Sequence, residues 1–172
     1  MNMFFYLLAI GIATGIKMTY QCGDFQYLLY ILKPVTKLVE LFLGVSFQYY
    51  EGIGFINESL KIHISRGCSG VNFFIMVFLM ISFSFLPKIK NKNKLSALLI
   101  FFMSSYCITI ISNASRIIGA SLMMNILTFP MRYERLIHQS IGVVFYFVNL
   151  MIAYYLFLKI LKKGEIIHEQ NL

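Results

Sequence analysis

The chain has 172 residues, 59% of them hydrophobic and only 13% charged, with 15 Lys and Arg against 7 Asp and Glu and a formal charge of +8. A mean hydropathy of +0.75 is too apolar for a soluble domain of this size and excludes that class. The positive charge does not point to nucleic acid, because the lysines stand beside apolar runs and not on a basic amphipathic surface; an integral membrane protein is expected.

In chain order, residues 3–16 form the first apolar stretch. It has no basic leader before it and no small-residue cleavage site after it, so a membrane segment is expected and not a removed signal peptide. Its shortness requires the following Lys17 to snorkel. Residues 27–47 are apolar on balance but carry Lys33, Pro34, Lys37 and Glu40, which suits a helix starting at Pro34 with its polar face turned toward protein. Gln48–Arg66 contains Gly52, Gly54 and Asn57, and its alternation Lys61-Ile62-His63-Ile64-Ser65 reads as a short hairpin or extended strand leading to Cys68. Three further apolar stretches follow at about 69–86, 95–118 and 139–158. The expected fold is all-α: one polytopic membrane bundle over residues 1–172, with about five transmembrane helices and a hairpin-like extracytoplasmic loop before Cys68.

The lysines set the expected orientation. Pro87–Lys94 is a short loop with four lysines and no acid, and the tail after Leu158 opens with Lys159, Lys162 and Lys163, so both are assigned to the cytoplasm. With five spans the Lys17, Lys33 and Lys37 segment joins them. Ten basic residues then lie inside against four outside, namely Lys61, Arg66, Arg132 and Arg135, with Arg116 at a helix boundary. The N-terminus is accordingly expected outside.

Helical rise is about 1.5 Å per residue and the hydrocarbon core about 30 Å thick, so roughly twenty residues join one rim to the other. Twenty residues separate Cys68 from Lys88, twenty-two separate Arg116 from Lys94, and twenty-one separate His138 from Lys159. All three polar residues therefore fall at the outer rim, on three different helices. Spacing gives their depth and leaves their azimuth open, and His63, Arg66, Arg132 and Arg135 are rivals on the same face. A thiol at a helix N-terminus gains from the positive end of the macrodipole. An imidazole can take its proton and return it to a leaving amine, whereas a guanidinium stays charged and can only hold an anion or oxyanion. Together they would support acyl transfer through a thioester. Cys22 and Cys107 read as small packing residues; with no CxxC and no Cys/His cluster, neither a metal nor another cofactor is expected.

The order Cys68-Ser69-Gly70, Asn113-Ala114-Ser115-Arg116 and His138 before an apolar helix resembles the exosortase/archaeosortase family. Leu38–Val45 followed by a glycine-bearing loop, Cys68–Phe74 and His138–Gly142 are similar to that family's core; the likeness covers about residues 34–155, and the short length resembles the exosortase K subgroup. The resemblance implies a membrane cysteine protease or transpeptidase that cleaves C-terminal sorting signals of exported proteins, each a short motif, a transmembrane helix and a basic tail. Its partners would be those substrates and the lipid bilayer, its location the bacterial cell membrane, its active site extracytoplasmic. On the matching positions Cys68 would be the nucleophile, His138 the general acid/base and Arg116 the charge stabiliser. Asn72 and Asn113 are candidates to orient them, because an amide on an apolar rim usually has a partner. Ser69 and Gly70 would allow close backbone approach and could offer N–H groups to an oxyanion. The chief alternative is a non-catalytic membrane assembly protein in which the three polar residues stabilise a bundle. A thiol oxidoreductase would need Cys22 or Cys107 as a second cysteine, and a transporter is disfavoured by the lack of an inverted repeat.

Overall fold

A computed structural model describes the backbone over residues 2–126 and 134–169 and the side chains over 3–123 and 140–160. The chain runs α1 (Asn2–Cys22), α2 (Phe25–Leu43), β1 (Gln48–Tyr50), β2 (Gly54–Asn57), β3 (Ile62–Ile64), a single 3-10 turn (Arg66–Cys68), α3 (Val71–Phe85), α4 (Lys94–Ile126) and α5 (Glu134–Glu169). Among the described residues, four helical segments are long and apolar enough to cross a membrane: Met3–Cys22, Arg66–Lys88, Asn91–Met123 and Ser140–Ile160.

The third helix is the centre of the bundle. In the segment around α3, 61% of residues are buried, against 11% in those of α1 and α5, so α3 is ringed by helices that keep apolar side chains outward. Those outward residues, such as Leu7, Ile10, Leu99, Met103, Phe147 and Met151, suit lipid and not water. Two cores stack along α3. Toward Lys88, Phe73, Phe74, Val77, Phe78, Ile81 and Phe85 pack against Ala9 of α1 and Ala97, Leu98 and Phe101 of α4, with Leu150, Tyr154 and Phe157 of α5 beside them. Toward Cys68, Val71 meets Leu28, Leu32, Val35 and Val39 of α2, Ile64 of β3, and Ala114 and Ile117 of α4.

Residues 27–47, expected to be the fifth span, fold as a helix and the chain after it. The α2 helix starts at Phe25, well before Pro34, and is not among the four long apolar helices. Both its flanks are tied to the Cys68 end. Ahead of it, Arg66 donates to the carbonyls of Tyr20 (3.3 Å) and Gly23 (3.0 Å), supplying partners to the last turn of α1. Behind it, Gly44 closes the helix in a left-handed conformation, Glu40 accepts from the Phe47 N–H at 2.8 Å, and the Asn57 amide donates to the Ser46 carbonyl at 2.7 Å. Pro34 lies inside α2, where its missing N–H leaves the Tyr30 carbonyl without a helical donor. The Tyr106 hydroxyl of α4 donates to that carbonyl at 2.6 Å, so one helix repairs the gap in the other.

The segment leading to Cys68 is a three-stranded antiparallel sheet in the order β1-β2-β3, larger than the hairpin expected from the alternation at 61–65. Tyr49 pairs with Phe55, and Phe55 in turn with Ile64. Ile64 points into the core while His63 is exposed, which anchors the strand immediately before the thiol.

Candidate functional site

The backbone carrying Cys68 is fixed by its own turn. The Cys68 N–H donates to the Ser65 carbonyl at 2.8 Å and the Ser69 N–H to the Arg66 carbonyl at 3.1 Å. Neither amide is therefore free to serve an oxyanion in this conformation, and Ser69 is buried. Gly70 then takes φ +70°, and an added Cβ there would lie 3.2 Å from Thr109 Cγ2 and 3.3 Å from Asn113 Nδ2. Glycine thus serves twice: it adopts the left-handed conformation that starts α3, and it lets α3 approach α4 closely. The half-buried Cys68 thiol points its S–H at the His63 carbonyl, 3.8 Å away, a weak bond that leaves the sulfur accessible.

Asn113 is the buried hub. Fully enclosed on α4, it donates its amide to the Cys68 carbonyl and accepts from the Tyr146 hydroxyl of α5 at 2.9 Å. One turn on, at the i+3 position of the same helix face, Arg116 lays its guanidinium over the Tyr146 ring, with Cζ 5.1 Å from the centroid. Gly142 of α5 lies against it, where an added Cβ would meet Arg116 Cδ at an ordinary contact distance of 3.4 Å. Tyr146 also stacks on Phe73 of α3, with centroids 4.5 Å apart and planes 14° off parallel. The α4 helix thus brings the guanidinium and the amide to one tyrosine of α5, and the amide links that tyrosine to the Cys68 carbonyl.

Arg116 has an unusual imbalance. Its Nε and Nη2 are buried and have no hydrogen-bond partner among the described residues. These two donors share one edge of the planar fork, the edge that binds two acceptor oxygens in parallel. Buried donors left unpaired cost about 1–3 kcal/mol each, so the edge is poised for an acceptor that the described residues do not supply.

Of the expected residues, Cys68, Arg116, Asn113, Ser69 and Gly70 come together. Asn72 does not join them: it is exposed on the α1 side of α3, where the Lys17 ammonium donates to its Oδ1 at 2.6 Å. His138 belongs to α5 but lies outside the residues whose side chains are described, as do Arg132 and Arg135. The rival Arg66 is occupied with the end of α1, and Cys22 and Cys107 are exposed, free thiols. Sequence reading missed Tyr146. It is one of 11 tyrosines, set in a stretch too uniformly apolar to give a facial signal, and only the spacing of four residues from Gly142 and eight from His138 marked it. Comparison with family models, curated proteins and solved structures finds no significant match.

Proposed function

We propose that the chain is an exosortase-like membrane cysteine peptidase or transpeptidase that cleaves C-terminal sorting signals of exported proteins. The observation that carries the reading is the unpaired Nε/Nη2 edge of Arg116, held on Tyr146 beside the Asn113 clamp on Cys68. A cationic fork one helical turn from the amide that holds the Cys68 carbonyl suits a step in which negative charge develops on a carbonyl oxygen.

In the proposed reaction the Cys68 sulfur attacks the scissile carbonyl carbon and its proton passes to His138. The C–N bond breaks, and His138 returns the proton to the leaving amine, giving a thioester on Cys68. Arg116 stabilises the oxyanion through its free edge. Water, or an amine or hydroxyl acceptor, then opens the thioester and regenerates the thiol. Helical spacing supports the role of His138, since positions 138, 142 and 146 recur every four residues and the last two meet Arg116 and Asn113.

The reading includes a membrane orientation with four spans. The Cys68 end faces outward, α2 and the sheet lie at that face, and the Lys88–Lys94 loop lies in the cytoplasm of a bacterial cell. A substrate helix arriving laterally would bring its scissile bond to the depth of Cys68.

The test is processing of a candidate exported protein that ends in a motif, an apolar helix and a basic tail. Cells with the native chain should release the tail, and cells with Cys68→Ala or Cys68→Ser should accumulate the uncleaved form. Equal processing in all three would overturn the peptidase reading and favour a structural assembly protein.

A further inference from the structure

We infer that Tyr146 is a positioning residue for the thiol site, acting through Asn113 and Arg116. The Cys68 carbonyl oxygen can only accept, so Asn113 must turn its NH2 toward it and its Oδ1 toward α5. The partner at 2.9 Å must then be a donor, and the Tyr146 hydroxyl is that donor. Its proton is committed to Asn113, so the buried Oδ1 is satisfied and the amide is held from its second end. Rotating the amide by half a turn would set two acceptors against each other at Cys68, whereas the hydroxyl, able to donate or accept, follows the amide and here donates to Oδ1.

The ring does separate work. Stacked on Phe73, it presents its electron-rich face to Arg116, which holds the guanidinium without using its Nε and Nη2 donors. A carboxylate in the same place would have consumed that edge. Tyr146 therefore keeps the thiol backbone fixed through its hydroxyl and, through its ring, holds the guanidinium with its Nε/Nη2 edge unpaired among the described residues.

Hydroxyl and ring can be separated by substitution. In a Cys22→Ser, Cys107→Ser background, the rate of Cys68 alkylation by N-ethylmaleimide at fixed pH is measured on the full chain in lipid nanodiscs. Tyr146→Phe, which keeps the ring, and Asn113→Ala should each change that rate in the same direction by at least about threefold, and the double variant should change it no further. A Tyr146→Phe rate within about 1.5-fold of the parent, or a double variant whose effect is the product of the singles, would overturn the inference. A merely structural tyrosine would lower thermal stability without making the two substitutions interdependent. The consequence for turnover rests on the peptidase reading: Tyr146→Leu, which removes ring and hydroxyl, should reduce target processing at least as far as Arg116→Gln. The two ideas fail separately. Unchanged processing in Cys68→Ser removes the peptidase reading and leaves the alkylation cycle to decide on Tyr146, whereas a null cycle alongside Cys68-dependent processing removes Tyr146 alone.

Discussion

Gly70 is the residue on which the site's geometry depends most directly, because turn, helix start and helix contact coincide there. An alanine at φ +70° costs about 1–2 kcal/mol in backbone energy, and its Cβ would press on Thr109 and on the Asn113 amide that holds Cys68. Gly70→Ala is therefore expected to lose about 1–3 kcal/mol of stability in denaturant titrations and to disturb the thiol as well. Gly67 is the control. It has no positive φ and nothing within 4 Å of an added Cβ, so Gly67→Ala should stay within about 0.5 kcal/mol. A second substitution tests the Arg116 edge. Lysine keeps the charge but has no planar fork, so Arg116→Lys should fail to restore target processing above the level of Arg116→Gln. At this scale the sequence was informative about depth and silent about direction. Counting from the lysines put Cys68 and Arg116 near one rim, and the structure sets Arg116 on Tyr146 and links the Cys68 carbonyl to the same tyrosine through Asn113. The same counting could not separate Asn113, which faces the thiol's carbonyl, from Asn72, which faces Lys17. Two amides near one depth differ only in azimuth, and a uniformly apolar helix carries no periodic signal from which azimuth can be read.

Between elements, the pairing of Pro34 with Tyr106 makes a prediction that a simple contact picture would not. Tyr106→Phe leaves the Tyr30 carbonyl without its donor and is expected to cost about 1–2 kcal/mol. Pro34→Ala restores a backbone N–H that can reach the same carbonyl, so in that background Tyr106→Phe should become nearly neutral. Unfolding titrations of the four proteins in one detergent measure the coupling, and additive costs would refute the account. The element boundaries show where local pattern is insufficient. Four apolar stretches correspond to helices, but α1 continues through Lys17 to Cys22 because the ammonium finds Asn72 and the ring of Tyr20, 5.4 Å away, and so need not end the helix. The polar residues at 33–40 look like flaws in a span when read along the chain. In the fold Lys33 and Lys37 are exposed while Leu32, Val35, Thr36 and Val39 of the same helix are buried, an amphipathic pattern. Only β3 was visible as alternation; β1 and β2 depend on the turn at Gly52 and on Gly54, whose missing Cβ lets β2 approach the Ile64 carbonyl.

Across the whole molecule, the position of Lys17 changes the topology argument. Because Lys17 meets Asn72 and Arg66 caps the last turn of α1, the C-terminal end of α1 lies at the Cys68 end of the bundle. With four spans, Lys17, Lys33 and Lys37 move to that face and join Lys61, Arg66, Arg132 and Arg135, while Lys88, Lys90, Lys92, Lys94, Lys159, Lys162 and Lys163 hold the other. The tally falls from ten against four to seven against seven. Orientation then depends on where the charges sit and not on their number. Four lysines crowd the eight-residue loop between α3 and α4 and three follow the last span, the short juxtamembrane positions that the positive-inside rule weights most. On the Cys68 face, by contrast, Lys17 and Arg66 are held in side-chain contacts and Lys33 and Lys37 ride on α2. Reporter fusions distinguish the two arrangements, because an even number of spans puts both termini on one side and an odd number separates them. Fusions at the N-terminus and after Leu172 should both report cytoplasm, and an insertion at Glu58, in the turn between β2 and β3, should report the outer face. Opposite signals from the two termini would restore α2 as a span. Replacing Lys88, Lys90 and Lys92 together with glutamine should raise the inverted fraction, since four basic residues would then remain on the lysine side against seven on the other. In that inverted population Cys68 would face the cytoplasm, so target processing should fall in proportion to the inverted fraction measured by the same reporters.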